Sequence, residues 1–274
     1  MADHSYHEPV LALRDISKQF GGEVILRDIS LDILNVVRPG MEQGQVVGFY
    51  GRSGIGKSVL CRIIAGLMPP TTGTVLVGTP PRPVCPGDVG FVQQRYPLFN
   101  HRTLLDNLLV AAQRKHAPTD ALARAEDLLT RFHLAPHRRK YPAQLSGGQR
   151  QRAAIAQQLL CSEHFIILDE PFSGLDIAMV DEVKKIIHEV TALHELNTVV
   201  IVSHDLATTT ALSDTLWLLG PEHDAAGQPI AGATITKQHQ YNLAEMGLAW
   251  QPGIQAKPEF VQLIEHLKDE IRRT

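Results

Sequence analysis

The chain has 274 residues, of which 44% are apolar and 20% charged, and its 26 Lys and Arg against 29 Asp and Glu give a formal net charge of −3. This composition excludes a disordered chain, and the length suffices for a core that needs no disulfides. The cysteines, Cys61, Cys85 and Cys161, lie far apart without a CxxC pair, so we expect reduced thiols rather than a metal or redox centre.

Short apolar segments rich in β-branched residues alternate with longer helical patterns along the chain. This alternation is typical of an α/β fold with a parallel sheet and crossover helices. Several of the segments are apolar throughout, as strands covered on both faces are. The predicted strands are Val10–Leu13, Ile29–Ile33, Val46–Tyr50, Thr74–Val77, Val89–Gln93, Phe165–Leu168, Val199–Val202 and Thr215–Leu219.

Helical periodicity replaces the strand pattern between about residues 95 and 160, where Leu122, Ala125, Leu128, Leu129 and Phe132 recur at intervals of three and four. We expect a helical subdomain inserted into the α/β core. The periodicity predicts further helices over Ala178–Leu196 and Pro258–Ile271, both packing on the core. The Gly-, Pro- and His-rich segment Pro221–Gly232 is predicted to be a surface connection.

A glycine-rich phosphate loop follows the third predicted strand. Its sequence GRSGIGKS fits GxxxxGK[ST] at every fixed position and precedes an apolar helix, Val59–Leu67. Glycines let successive amides point at phosphate oxygens, and the helix start adds a positive dipole end. Lys57 is expected to reach the β- and γ-phosphates, and the Ser58 hydroxyl to bind Mg²⁺. The predicted nucleotide contacts are Gly51, Arg52, Ser53, Gly54, Ile55, Gly56, Lys57, Ser58 and Val59.

A second motif, FIILDEP over Phe165–Pro171, is an apolar strand that ends in two carboxylates. Open α/β sheets bind ligands beyond the carboxyl ends of their strands, so both carboxylates should lie near the phosphates. Asp169 is expected to bind Mg²⁺ directly or through water, and Glu170 to act as general base on the attacking water.

A third motif, LSGGQRQR over Leu145–Arg152, begins an apolar helix predicted over Ala153–Leu160. Ser146, Gly147 and Gly148 predict a second helix start that binds an anion. One nucleotide already has its phosphates in the first loop. The second helix start therefore folds onto the same nucleotide or serves one held by another copy, and the residues alone do not decide between these.

The three motifs in this order resemble those of the ATP-binding subunits of ATP-binding cassette (ABC) transporters, over roughly residues 10–219. The resemblance implies a P-loop NTPase fold with a RecA-like core and an inserted helical subdomain in a single domain. Residues 1–94 and 161–220 would form the core with its N-terminal strands. Residues 95–160 would form the helical subdomain with the signature motif, and residues 221–274 a C-terminal extension that ends in a helix.

The resemblance also implies a head-to-tail pair of subunits with two ATP molecules between them. Ser146, Gly147, Gly148 and Gln149 would then contact the ATP of the opposite subunit, and Asp176 in SGLD would communicate across the dimer.

Three further residues acquire roles by the same comparison. Phe20 would stack on adenine, Gln94 would sense Mg²⁺ and the water, and His204 would contact the γ-phosphate. Gln93 is an alternative to Gln94 if the register differs by one residue. Two features depart from the family pattern. The connection over Asn35–Gln43 is longer than usual, with a turn at Pro39-Gly40, and Arg52 stands where proline is frequent.

The resemblance implies ATP and Mg²⁺ as ligands, and a second copy or a homologous ATPase subunit as partner. The N-terminus lacks a secretory signal, and the apolar runs are shorter than the roughly 20 residues of a membrane span. We therefore expect separate integral membrane permease subunits, with a substrate-binding protein as a further candidate, and a position on the cytoplasmic face of the inner membrane. Import or lipid trafficking fits the separate-subunit layout better than export.

The principal alternative is a soluble cassette ATPase that acts on nucleic acid or ribosomes. The sequence pI of about 6.5 and the absence of heptads argue against it, and no nucleic acid is expected as partner. A regulatory subunit without turnover is a third possibility, against which the intact Glu170 speaks.

Overall fold

The computed structural model describes residues 5–37, 44–162, 164–251 and 253–273. The strands are β1 (Ser5–Phe20), β2 (Glu23–Val37), β3 (Gln45–Tyr50), β4 (Thr72–Val77), β5 (Arg82–Pro83), β6 (Val89–Val92), β7 (Phe165–Asp169), β8 (Thr198–Ser203), β9 (Thr215–Leu218), β10 (Gly220–His223), β11 (Pro229–Thr234) and β12 (Gln240–Asn242). The α-helices are α1 (Lys57–Ile64), α2 (Leu104–Ala112), α3 (Pro118–Arg131), α4 (Gly147–Cys161), α5 (Ile177–Ala192), α6 (Leu206–Leu212) and α7 (Pro258–Arg273).

The central sheet has the strand order β12-β9-β3-β8-β7-β6 and is parallel from β9 to β6. Its middle strands are apolar and β-branched because both faces are covered. Val46, Ile166 and Val199 belong to a hydrophobic cluster with α2 to α5. Val47 and Ile167 point to the other face, into a cluster with α1 and the second sheet. The predicted parallel sheet is confirmed for these strands.

The second sheet has the order β10-β11-β2-β1-β4-β5, and its strands pair antiparallel except β11 with β2. The structure extends two of the predictions here. The short strands Val10–Leu13 and Ile29–Ile33 are parts of one long hairpin of 16 and 15 residues. The predicted surface connection Pro221–Gly232 is largely the hairpin of β10 and β11, with an exposed turn between them, because β11 adds to the open edge of β2.

The region between β6 and β7 is helical, as predicted. The helix over the periodic residues, α3, buries Ala121, Ala125, Leu128 and Leu129. Leu122 does not belong to that face, since it is 42% exposed. The predicted helices at Val59–Leu67, Ala153–Leu160 and Ala178–Leu196 correspond to α1, α4 and α5, with boundaries shifted by several residues.

The C-terminal helix α7 packs on the core, as its amphipathic pattern predicts. Phe260, Leu263, Ile264 and Leu267 share a buried cluster with Leu216 and Leu218 of β9. Helix α7 therefore covers one face of the central sheet at β9. The three cysteines are free thiols.

Within the described ranges, every helix is too short or too polar to span a membrane. The predicted long connection Asn35–Gln43 begins inside β2, and its residues 38–43, with the Pro39-Gly40 turn, lie outside the described residues.

Candidate functional site: a phosphate loop beside two carboxylates

The phosphate loop joins the carboxyl end of β3 to the amino end of α1. Gly54 and Gly56 have left-handed backbone conformations, with φ of +84° and +107°. A Cβ on Gly56 would lie 3.0 Å from Cγ2 of Ile25, so both conformation and packing require glycine there. No side chain caps α1, and its first turn holds no acidic residue. The amides at this helix start can therefore bind an anion.

The other predicted loop residues surround these glycines. Gly51 is buried, and a Cβ there would meet Ile55 at 2.9 Å. The carbonyl of Arg52 accepts a hydrogen bond from the Ile55 amide at 3.3 Å, so its contribution is through the backbone. Ser53 is exposed, and Ile55 and Val59 pack against the core.

Lys57 is the cation of the loop and is only 8% exposed. Its ammonium donates hydrogen bonds to the carbonyls of Gly51 at 2.7 Å and Arg52 at 3.1 Å. It also lies 3.5 Å from Oε1 of Glu170. The loop carbonyls and the carboxylate therefore hold the charge of Lys57 at the end of the central sheet.

Ser58 and Asp169 meet across the site. The Ser58 hydroxyl donates a 3.0 Å hydrogen bond to Oδ2 of Asp169, while Oδ1 is buried without a hydrogen-bond partner in the described part of the chain. Burial raises the pKa of the Asp169 carboxyl, and the bond from Ser58 opposes that rise. The unpaired carboxylate oxygen of Asp169 and the Ser58 hydroxyl beside it are oxygen ligands of the kind that Mg²⁺ prefers.

Glu170 follows at a strained backbone position, with φ of +52°. Its Oε2 lies 2.7 Å from Nδ1 of His204, and its Oε1 faces Lys57. Both predicted carboxylates and the predicted histidine therefore meet beside the loop. Glu170 is 17% exposed and His204 is 54% exposed, so the histidine connects the carboxylate with solvent.

Gln94 lies beyond the end of β6, at the same edge of the sheet. Its side-chain amide donates a 2.9 Å hydrogen bond to the hydroxyl of Ser173, three residues after Glu170. Gln93 is also exposed, but Gln94 is the one that contacts the segment after β7.

The signature motif forms the start of α4. Ser146 is the N-cap, and its hydroxyl accepts a hydrogen bond from the Gln149 amide at 3.2 Å. The Ser146 amide donates to Oε1 of Gln149 at 3.0 Å, which completes a capping box. Gly147 and Gly148 start the helix and are half-buried. Within the described residues, no hydrogen bond or ion pair joins this helix start to the phosphate loop of the same chain.

Asp176 and Phe20 lie at the ends of two other elements, α5 and β1. Asp176 caps α5 by accepting a hydrogen bond from the Met179 amide at 2.9 Å. Phe20 ends β1 and is 46% exposed, with the Lys18 ammonium 5.0 Å from its ring centroid. The adjoining β2 residue Ile25 faces Gly56, so this hairpin end lies near the phosphate loop.

Sequence reasoning missed several contacts in and around the site. Lys18 is two residues before Phe20 in a strand, and the two-residue side-chain period could have placed both on one face. Ser173 begins the SGLD segment, but only Asp176 of that segment was given a role. The contact between His137 and Gln149, at 3.0 Å, joins residues that no local pattern relates.

A glycine loop after a parallel strand, a lysine at the helix start and carboxylates at the end of another strand of the same sheet define a P-loop nucleotide-binding protein. The sequence model of one family, described as ABC transporter, matches residues 34–173, about half of the chain. The chain therefore belongs to the ABC transporter family. Membership indicates that its phosphate loop binds ATP.

Two curated relatives are similar to the chain over 74% of its length. The "Sulfate/thiosulfate import ATP-binding protein CysA 2" of Rhizobium meliloti (strain 1021) is 37% identical over 212 residues. The "Sulfate/thiosulfate import ATP-binding protein CysA" of Escherichia coli (strain K12) is 39% identical over 214 residues. The matched regions cover 55% and 56% of these relatives, so the chain spans little more than half of their length.

Solved structures support the fold. A structure described as cbiO1 from Clostridium perfringens, part of the ABC transporter complex cbiONQ, is similar with a TM-score of 0.68 and 23% identity, over 88% of this chain and 91% of that one. A second, described as the ATP binding subunit of an ABC transporter, has a TM-score of 0.66 and 21% identity, over 88% and 95%. The predicted P-loop NTPase fold of the ABC type is confirmed.

Proposed function

We propose that the chain is an ATP-hydrolysing subunit of an ABC importer and powers transport through separate membrane subunits. The observation that carries this proposal is the charged cluster beside the phosphate loop, where Glu170 contacts both Lys57 and His204. The family membership and the relatives' names as import ATP-binding proteins support it.

Mg²⁺ would be held by Ser58 and Asp169, with Gln94 as a further ligand. The orphaned Oδ1 of Asp169 and the adjacent Ser58 hydroxyl fit a hard cation that prefers oxygen ligands. The ion would neutralise charge on the β- and γ-phosphates.

Hydrolysis requires a base and a fixed cation. Glu170 would take the proton of the attacking water at a carboxylate oxygen, and His204 would orient that carboxylate through its 2.7 Å contact. Lys57 would stabilise the negative charge of the phosphates. Among the described residues, hydrogen bonds to two loop carbonyls and the Glu170 contact hold its ammonium, and phosphate oxygens could replace them.

The signature motif would serve the ATP of a second copy. Ser146, Gly147, Gly148 and Gln149 form a helix start without a bond to their own phosphate loop in the described chain, so a separate molecule is the natural source of its anion. Asp176 would lie at the same interface. The partner is a second copy or a homologous ATPase subunit.

Phe20 would stack on the adenine ring. Its exposed ring and the nearby contact of Ile25 with Gly56 support this assignment. Residues 1–94 and 161–220 would act as the core that holds the nucleotide, residues 95–160 as the helical subdomain, and residues 221–274 as an extension that covers one face of the sheet at β9.

Membrane permease subunits would dock in a groove beside the helical subdomain. A cavity of about 320 Å³ there is lined by Pro97, Leu98, Phe99, Val110 and Ala111, among others, and Phe99 is 45% exposed. An exposed apolar groove near Gln94 suits a partner element that must respond to the nucleotide. The chain would then lie on the cytoplasmic face of the inner membrane, and a substrate-binding protein would deliver cargo from the other side.

The cargo would be recognised by the membrane subunits or a binding protein. The relatives' names make sulfate and thiosulfate the first candidates to test. The nucleic-acid and ribosome alternative is not favoured, because the relatives are import proteins and the net charge of −3 gives no basic surface excess.

The test is co-purification from detergent-solubilised membranes with the full chain as bait. We expect a polytopic membrane protein to co-purify and Phe99→Asp to abolish the capture. Val261→Asp is the matched control, because Val261 is 48% exposed on α7, away from the groove. Co-purifying ribosomes or nucleic acid without a membrane protein would contradict the proposal.

A further inference from the structure

A histidine outside the motifs contacts the signature motif. Gln149 uses Oε1 to accept the Ser146 amide at 3.0 Å, and its Nε2 lies 3.0 Å from Nε2 of His137. The Gln149 side chain is thus bonded at both ends, by the motif's own serine and by a residue of the helical subdomain.

The chemistry of these bonds fixes the role of His137. The Ser146 amide is a donor and needs the oxygen of Gln149, so the NH₂ group of Gln149 must face His137. Nε2 of His137 is therefore the acceptor, and the ring proton is on Nδ1. Nδ1 is buried and has no hydrogen-bond partner among the described residues. Among the described residues, the bond to Gln149 is therefore the hydrogen bond that distinguishes this imidazole from an apolar side chain.

The backbone around His137 is anchored independently of the motif. His137 ends a short 3₁₀ turn, Ala135–His137. The carbonyls of Arg138 and Lys140 accept hydrogen bonds from the first amides of α2, at 2.9 Å from Leu105 and 2.8 Å from Leu104. The segment directly after His137 is therefore held by α2, and His137 can act as a fixed support for the Gln149 amide.

We propose that His137 is a positioning residue of the signature motif. Its Nε2 sets the rotamer of Gln149, and Gln149 in turn holds Ser146 in the capping box at the start of α4. Ser146 would then be oriented toward the ATP of the second copy before the two copies meet. This last consequence rests on the proposed function, whereas the effect on the capping box does not.

The experiment compares His137→Leu, which removes the acceptor, with His137→Gln, whose side-chain oxygen can accept the same bond. His116→Leu is the control, because His116 is a half-buried histidine of the same subdomain without a bond to the signature motif in the described chain. Hydrogen exchange of the Ser146 amide is measured by NMR. The kcat and KM for ATP and the midpoint of thermal unfolding are measured on the same proteins.

In His137→Leu we expect the Ser146 amide to exchange about fivefold faster and kcat to fall by a similar factor, the typical loss of one capping interaction. KM should stay at the wild-type value, and the unfolding midpoint should fall by no more than the about 2 to 4 °C that the loss of one capping interaction costs. In His137→Gln, the exchange rate of the Ser146 amide and kcat should both stay at wild-type values. The effect of His137→Leu on them should vanish in a Gln149→Ala background.

Unchanged exchange of the Ser146 amide in His137→Leu would overturn the proposal. A loss of activity that persists in the Gln149→Ala background would also overturn it. A fall in the unfolding midpoint well beyond about 4 °C would do the same and leave His137 with a packing role. A wild-type chain that does not hydrolyse ATP would instead refute the proposed function, while the exchange measurement would still decide the role of His137.

Discussion

Neutralising Glu170 by Glu170→Gln separates nucleotide binding from hydrolysis. The carboxylate lies 3.5 Å from the Lys57 ammonium, a gross attraction of about 5 kcal/mol at an effective dielectric constant of about 20. Without that carboxylate, the positive charge of Lys57 is no longer offset and attracts phosphate more strongly. The affinity for ATP should therefore be kept or increased. Glutamine has the same shape and can keep the 2.7 Å contact with His204, which leaves the strained backbone at this residue undisturbed.

Without a base, the attacking water loses its proton acceptor. We expect kcat to fall about 100- to 10,000-fold, which corresponds to roughly 3 to 5 kcal/mol of barrier. ATP hydrolysis should therefore slow while the ATP-bound dimer accumulates.

Phosphate release measures kcat, and equilibrium binding of an ATP analogue measures affinity. Size-exclusion chromatography with ATP measures the amount of dimer. Glu195→Gln is the matched control, because the exposed Glu195 precedes β8 and lies at the opposite end of the parallel strands. A kcat within tenfold of wild type would remove Glu170 from the role of base. A large fall in ATP affinity would refute the electrostatic argument.

Four further changes test the site and its support. Lys57→Ala should weaken ATP binding at least tenfold in a binding titration, since it removes the loop's buried cation; unaltered affinity would contradict the phosphate assignment. Gly56→Ala should cost about 1 to 3 kcal/mol of unfolding free energy in urea, because φ is +107° there, and no change would refute the strain argument. Asp214→Asn should lower the unfolding free energy by about 2 to 4 kcal/mol, because the buried carboxylate accepts hydrogen bonds from the Val46 amide and the Trp250 indole. Trp250→Phe should lower the unfolding free energy by less in the Asp214→Asn background than in the wild-type chain. Burial raises the pKa of Tyr96 to about 12, so the folded state resists its ionisation and this contribution to stability falls as the pH rises from 10 toward 12. Tyr96→Phe should lose less stability over that range, and an identical alkaline unfolding curve would contradict the shift.

Local sequence patterns locate the strands of this protein but do not predict how long each strand is. The pattern found the middle of β1 at Val10–Leu13, but the strand continues to Phe20 because β2 and β4 supply partners on both of its sides. The segment Pro221–Gly232 has turn residues and no apolar alternation, yet β11 pairs with β2. Strand length depends on which neighbouring edge has free backbone groups, and that is not a local property.

The sequence by itself determined the phosphate loop, because its motif occupies eight consecutive residues in which the glycines set the backbone and the lysine follows the last glycine. It also determined that apolar strands end in Asp169 and His204, which places them at one edge of the sheet by the topology of parallel strands.

Only the tertiary structure decided which side chains from separate elements contact each other. It joined Lys57 to Glu170, Gln94 to Ser173 and His137 to Gln149, and it left the signature motif without a bond to its own phosphate loop in the described chain. Such contacts depend on how separate elements pack and on the rotamers that packing allows, so the spacing of residues along the chain carries no measure of them.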